Sequence, residues 1–340
     1  MKEDELQAIK QGTMLFRKVY QREISEKTFQ HKHFDNPTAL SIPYIIENKN
    51  DTPIAMRWLM KLNFCFNGAI LTGVQSSDDA VTEEARGLLF LRMRKKTLGI
   101  LEREQIDFEY GCFYPGAAME IAEKSGEKKV VNLYMARLFL NEKKHRWKRF
   151  DIPYPTFLRT ILANRRKRHL AALARKDLQI QVDSCCPFTE EDYLQMNSDA
   201  SLHIERTGGY YAWKTGDRQD LSFVTARDGM KLCGFLIVKN ERETGSIVDW
   251  DVLCEDKSAV LAALLLPLCM TVQYLDIPSL NCENGEMKLF TGLGAKDMSK
   301  LWAPICICMK PITERANEIT HPRLWKHRLI DADYFMNGDS

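Results

Sequence analysis

The stretch from Gly73 to Phe90 contains the residues whose types and order could do chemistry. It reads GVQSSDDAVTEEARGLLF, which predicts a strand, then an acidic turn, then Arg86 and Gly87 at the mouth of a helix. The first backbone N–H groups of a helix have no partner within the helix and carry partial positive charge. The sequence therefore predicts an anion site here, at which a pyrophosphate could bind without a metal.

The same stretch resembles the acetyl-coenzyme A loop of the GNAT N-acetyltransferases, in the form D-x-x-V-x-P-E-x-R-G-x-G-x-F of their bacterial two-domain relatives. The residues that match are Asp78, Val81, Glu84, Arg86, Gly87 and Phe90. The resemblance implies that acetyl-CoA, or another acyl-CoA, is a co-substrate. It places the cofactor against a run at the start of the helix, namely Arg86, Gly87, Leu88, Leu89, Phe90 and Leu91.

Three positions depart from the family loop. Leu89 and Leu91 stand where the family has small residues, and Glu83 stands where it has proline. A leucine keeps its backbone N–H, but its side chain can crowd a ligand. These departures support a second hypothesis, in which the chain is a catalytically inactive tandem GNAT-fold binding module.

The resemblance also implies the chemistry, which is transfer of an acyl group to a primary amine on a small molecule or peptide. Such a transfer needs a base for the amine and an acid for the leaving thiolate. Glu109 and Asp78 are the expected bases, and Asp79 is a further candidate that could instead compensate the helix dipole. Tyr114 is the expected acid, although a core tyrosine with a bonded hydroxyl is the alternative. We expect direct attack, because no Cys or Ser has a recognisable activating partner in the sequence.

The order of elements predicts an α/β fold made of two tandem GNAT-like domains. Each is expected to be a mostly antiparallel mixed sheet flanked by helices, with hairpin signals at Asn67-Gly68 and Asp228-Gly229. The predicted boundaries are an acyl-CoA-binding domain at 1–140, a basic helical linker at 141–187 and a degenerate second domain at 188–340.

Two motifs in the second half support the tandem assignment. Arg206, Tyr210 and Trp213 resemble the R-x-x-x-Y-x-x-W entry of the second domain in this group. The tail from Trp325 resembles the closing W-x-x-x-x-x-D-x-D, with its acids at Asp331 and Asp333. No Arg-Gly loop precedes the second helix, so the second half is expected to lack a cofactor loop.

A third hypothesis concerns the basic segment 143–176, which contains twelve Lys or Arg. Its charges alternate with aromatic residues, a composition found in binders of anionic surfaces or nucleic acid. The alternative is a basic amphipathic helix that packs on the two domains. We favour the packing helix and do not expect nucleic acid as a partner.

The composition limits which other classes of protein this chain could belong to. The 340 residues are 45% hydrophobic and 28% charged, with a net charge of +2, as in ordinary globular proteins. The ten cysteines form no CxxC pair and lack histidines at zinc spacing, so no metal site is expected. Five of them lie in apolar runs and are expected to be buried thiols, namely Cys65, Cys233, Cys269, Cys306 and Cys308. The absence of a signal-like start and of a long apolar run predicts a cytoplasmic protein.

Overall fold

The structure is a computed structural model that describes residues 3–38, 41–48, 50, 52–141, 144–147, 150–153, 155–216 and 218–331. Its helices are α1 (Glu3–Tyr20), α2 (Glu26–Phe34), α3 (Leu88–Arg103), α4 (Ala117–Lys124), α5 (Thr156–Leu173), α6 (Glu190–Met196), α7 (Gly208–Thr215), α8 (Lys257–Leu265) and α9 (Glu286–Gly292). Short 3₁₀ turns follow β3 (Glu83–Ala85), α8 (Leu266–Met270) and β15 (Glu314–Thr320, Pro322–Leu324, Leu329–Asp331).

The strands of the first half are β1 (Ile42–Glu47), β2 (Pro53–Phe66), β3 (Ala69–Val81), β4 (Phe108–Phe113) and β5 (Lys128–Phe139). The linker holds β6 (Lys144–Trp147), β7 (Phe150–Pro153) and β8 (Gln179–Asp183). The second half holds β9 (His203–Ile204), β10 (Leu221–Asp228), β11 (Lys231–Glu241), β12 (Thr244–Val252), β13 (Tyr274–Asn281), β14 (Lys296–Asp297) and β15 (Ile305–Pro311).

Both predicted hairpins form. Asn67 and Gly68 join β2 to β3 with φ angles of 49° and 73°, a left-handed pair that glycine and asparagine adopt readily. The second hairpin joins β10 to β11 through Gly229, whose φ is 58°. The turn residues were sufficient to predict both hairpins, because a two-residue turn sets the register of the two strands that it joins.

Strands of both halves lie in one sheet. Among the described residues its order is β1-β2-β3-β4-β15-β5-β13-β12-β11-β10-β8, with β14 on β5 and β9 on β2. The last strand, β15, pairs antiparallel with β4 on one side and with β5 on the other. The predicted mixed α/β fold is confirmed, but two separate sheets were expected and the strands of the two halves are instead hydrogen-bonded together. The boundaries at 1–140, 141–187 and 188–340 stay a prediction.

The two aspartates of the acidic segment before α3 lie in a strand rather than a turn, so that part of the sequence interpretation is wrong, whereas Glu83–Ala85 forms a short 3₁₀ turn. Strand β3 continues through Asp78 and Asp79 to Val81, paired with β2. The register shifts between Met56 and Trp58, and Asp78 has a φ of 48°, which marks a bulge. The acids therefore face packed elements, where ion pairs compensate their charge.

Helix α5 packs on the second half. Its Ala163 and Leu170 are buried, whereas Arg165, Lys167 and Arg168 are exposed. The Nε of Arg166 donates to the carbonyl of Phe139 on β5 at 3.1 Å. This arrangement supports the packing-helix interpretation of the basic segment. The predicted basic cluster at 143–149 falls partly on residues outside the described ranges.

The core lies on both faces of the sheet. On one face, Phe64, Phe108 and Tyr110 meet Trp325 of the C-terminal segment. On the second half, an almost wholly buried α8 packs under β10, β11 and β12.

All five cysteines expected to be buried are buried. No helix in the described ranges is long and apolar enough to cross a membrane.

The C-terminal segment from Trp325 to Arg328 contacts the two halves alternately. Trp325 and His327 pack beside Tyr110 of the first half. Lys326 and Arg328 reach the second half, where Arg328 Nε donates to the Trp250 carbonyl at 3.1 Å. The segment therefore connects the cores of the two halves.

His327 gives the protein a specific acid sensitivity. Burial lowers the pKa of its ring to about 4, from 6.5. Between these values the unfolded chain binds a proton that the folded chain does not, so stability falls as the pH falls through this window. We expect about 2 kcal/mol of the loss in unfolding free energy between pH 7 and pH 5 to come from this ring.

Urea unfolding at the two pH values measures the effect. His327→Gln should lose less unfolding free energy between pH 7 and pH 5 than the wild type does, by that contribution of the His327 ring. The exposed His169 on α5 supplies the control, since His169→Gln should leave the loss unchanged. Equal pH dependence in His327→Gln and the wild type would contradict the assignment.

Candidate active site

A cleft opens in the first half where two parallel strands separate. Strands β3 and β4 pair only over Gly73–Gln75 and Phe108–Tyr110. Beyond Gln75, β3 runs on to Val81 and β4 to Phe113 without pairing to each other in the described structure. The parallel pairing of β3 with β4 therefore ends well before α3 begins.

The N-terminus of α3 follows the end of this gap. Gly87 caps the helix with φ 103° and ψ −128°, a conformation that suits glycine, and no side chain caps the helix there. Arg86 and Gly87 are exposed, and Leu89, Phe90 and Leu91 are half-buried. Leu88 is the first residue of the helix. The predicted cofactor residues thus form one open helix entrance.

Asp78 is held by two side chains of α2, Lys32 and His33. Its Oδ2 accepts from Lys32 Nζ at 2.7 Å and lies 2.8 Å from His33 Nε2. Burial alone would raise the pKa of this carboxyl, but Lys32 and His33 outweigh it and hold the pKa well below its usual range. A carboxylate that resists protonation is a poor base, and the contacts fit a brace between β3 and α2.

Glu109 lies in a buried ionic network under α3. Its Oε1 accepts from Arg57 on β2 and from Arg94 on α3, the second at 3.1 Å. Arg57 also donates to Thr97 at 2.8 Å, and Arg94 pairs with Glu127. Two guanidinium groups thus occupy this carboxylate, which ties three elements together.

Asp79 has a different environment from its neighbour. Its Oδ2 accepts from Ser76 Oγ at 2.7 Å and lies 3.5 Å from Arg57 Nε. Its Oδ1 has no hydrogen-bond partner among the described residues. Burial raises the pKa of Asp79 against the opposing effects of Arg57 and Arg94. The Oδ1 atom is itself buried, and Asp79 is easier to protonate than Asp78.

Tyr114 lies at the rim, directly after β4 and before α4, with 64% of its surface exposed. Among the described contacts, none of the three predicted catalytic residues touches another. Glu109 and Asp79 are instead linked through Arg57. Sequence reasoning missed Arg57 and Arg94, and the one signal for Arg57 is a charge inside the apolar run IAMRWLM.

The second-half motifs meet in space. Arg206 pairs with Asp331, and the Tyr210 hydroxyl donates to the same carboxylate at 2.7 Å. Tyr211 donates to Asp249 of β12 at 2.9 Å. The Trp213 indole donates to the His31 carbonyl of α2 at 2.9 Å. The two motifs singled out in the sequence therefore join β12, α7 and the C-terminal segment, while Asp333 lies outside the described residues.

No protein-family model and no curated protein matches this sequence. Solved structures do share the fold. A protein of unknown function from Enterococcus faecalis, described as a probable N-acyltransferase, is 12% identical with a TM-score of 0.67, over 92% of this chain and 71% of that one. A GCN5-related N-acetyltransferase from Anabaena variabilis is 10% identical with a TM-score of 0.65, over 92% and 71%.

A tandem GNAT protein from the clavulanic acid biosynthesis pathway, in a structure without acetyl-CoA, extends the likeness to the domain arrangement. It is 9% identical with a TM-score of 0.54, over 92% of this chain and 96% of that one. The chain therefore has the GNAT acetyltransferase fold in tandem form. The fold expected from the sequence resemblance is confirmed.

Removal of the Glu109 charge should destabilise the protein strongly. Glu109→Gln leaves Arg57 and Arg94 buried with less counter-charge, which costs about 3–5 kcal/mol. Urea denaturation measures the change. The matched control is Glu120→Gln on the exposed face of α4, expected to stay within about 0.5 kcal/mol of the wild type. A change below about 1 kcal/mol in Glu109→Gln would show that the network is not structural.

Proposed function

We propose that this protein is an acyltransferase that moves an acetyl or other acyl group from acyl-CoA to a primary amine. The observation that carries the proposal is the gap between β3 and β4, which leads to the uncapped N-terminus of α3. The pyrophosphate of the acyl-CoA would bind at the backbone N–H groups of Arg86 to Leu91, and the thioester arm would lie along the gap. A small-molecule or peptide amine is the proposed acceptor and the cytoplasm the proposed location.

Asp79 is the best supported base in this proposal. Its raised pKa and its Oδ1 without a hydrogen-bond partner suit it to take the amine proton through a water that reaches this buried oxygen. Glu109 and Asp78, the bases expected from the sequence, would instead hold the strands that position Asp79. Tyr114 is exposed at the rim and would donate a proton to the leaving thiolate.

Direct attack of the amine is proposed rather than a covalent intermediate. Contrary to the expectation from the sequence, one cysteine has a histidine neighbour, since Cys112 Sγ lies 3.7 Å from His327 Nε2. Burial lowers the pKa of His327 to about 4, however, so its neutral ring is a weak base for a thiol. Burial also raises the pKa of Cys308 to about 11 and thereby suppresses its thiolate.

Arg86→Ala should weaken CoA binding. We expect a loss of about 1–3 kcal/mol, since the guanidinium would make a charge-assisted contact with phosphate. Titration calorimetry with CoA measures the affinity. Arg103→Ala removes the same charge from the other end of α3 and should bind CoA as the wild type does. Unchanged affinity in Arg86→Ala would remove Arg86 from the site.

Tyr114→Phe should lower turnover and spare CoA binding, because it removes one hydroxyl and keeps the ring. Single-turnover kinetics with labelled acetyl-CoA, in the presence and absence of amine, test the whole scheme. Full activity in Tyr114→Phe would exclude the acid role. Label on Cys112 without amine would refute direct attack, and Cys112→Ser would then abolish labelling.

A binding module without turnover is the second candidate. It is supported by the half-buried Leu89 and Leu91 at the helix entrance and by the exposed acids Glu83 and Glu84 before it. Both features oppose a bulky anion. No detectable binding of any CoA to the wild-type protein would favour the module.

A further inference from the structure

A second cleft lies in the other half of the molecule. Strands β12 and β13 pair only at Gly245–Ser246 with Leu275–Asp276 and then separate, as β3 and β4 do. Next to this separation is a cavity of about 490 Å³. Its walls are the end of β12, the first residues of α8 and α9, and the C-terminal segment.

The C-terminal segment fills the gap between the strands. Arg328 Nε donates to the Trp250 carbonyl of β12 at 3.1 Å, and Asn281 Nδ2 of β13 donates to the Trp325 carbonyl at 2.9 Å. The Arg328 guanidinium also lies over the Trp250 ring at 4.2 Å. An extended thioester arm therefore cannot lie between these strands, and the cavity admits only a compact ligand.

The charge of the cavity wall is positive. Five basic and three acidic side chains contribute to it: Lys257, Lys288, Arg323, Lys326, Arg328, Asp199, Asp251 and Glu286. The three acids are all in ion pairs, because Lys326 pairs with Asp199 and Asp251, and Arg328 pairs with Glu286 at 2.8 Å. The exposed Lys257, Lys288 and Arg323 have no acidic partner among the described residues.

A buried hydrogen-bond donor in the same wall also favours an anionic ligand. Arg328 is 2% exposed, and its Nη2 has no hydrogen-bond partner in the described structure. An unpaired donor on a buried cation is costly unless an acceptor satisfies it.

We propose that this cavity binds a phosphate-bearing small molecule of nucleotide size or less, separately from the acyl-CoA cleft. Lys257, Lys288 and Arg323 supply charge-assisted contacts to the phosphate oxygens, as exposed basic side chains do in phosphate sites. The ligand occupies the half of the molecule whose strand gap is closed, so it is bound rather than acylated.

Titration calorimetry with pyrophosphate and with AMP tests the proposal, with circular dichroism as the check on folding. The double variant Lys257→Ala/Lys288→Ala should lose about tenfold or more in affinity for whichever probe binds. Lys300→Ala, on an exposed loop outside the cavity, should bind the probe as the wild type does, whereas Arg86→Ala should lose only the binding that belongs to the first cleft.

Three outcomes would overturn the proposal. They are no binding of either probe to the wild type, equal binding in the double variant, and loss of binding in Arg86→Ala alone. Competition separates it from the proposed acyltransferase function. Acetyl-CoA should not displace the probe from this second cavity, and displacement that depends on Lys257 and Lys288 would place the acyl-CoA here. If Arg86→Ala loses CoA binding but keeps probe binding in the second cavity, the result bears on the first cleft and leaves this proposal intact.

Discussion

The insertion of β15 between β4 and β5 is the constraint on which the rest of the structure depends. This strand comes last in the chain, yet both of its partners belong to the first half. Neither half can complete its hydrogen bonding alone, because β15 is supplied by one and paired by the other. The insertion also leaves only β1 and β8 as edges of the main strand order, which limits pairing with other chains.

The same connection accounts for the buried charges. In the first half Arg57 and Arg94 meet Glu109, and in the second Arg206 meets Asp331 of the C-terminal segment. Each network lies beside a strand that separates from its parallel neighbour. Breaking such a pair exposes an uncompensated buried charge, so each network stabilises one alignment of its strands and segment over others.

Two copies of one architecture thus differ in what fills the gap between parallel strands. In the first half the gap after Gln75 has no paired segment in the described structure, and α3 begins at its end. In the second half Arg328 and its neighbours fill the gap and leave a basic cavity outside it. The C-terminal segment therefore occupies the second gap, whereas no described segment pairs into the first.

Local chemistry in the sequence was enough for the elements and for the fold. Asn67-Gly68 and Asp228-Gly229 predicted their hairpins. A turn, a cap or a periodic face involves residues close in the chain, so short segments carry this information. The motif residues of the second half were singled out for the same reason, although their contacts with one another were not foreseen.

Only the tertiary structure decided where the acids and the last strand lie. Asp78 and Asp79 are adjacent in sequence, but α2 supplies the cations of the first and β2 the guanidinium of the second, which gives their carboxyls opposite pKa shifts. Glu109 was expected to be a base and instead lies between two arginines from distant segments. The position of β15, the continuous sheet and the closed second gap likewise depend on pairings between residues far apart in the chain, and no local pattern encodes such pairings.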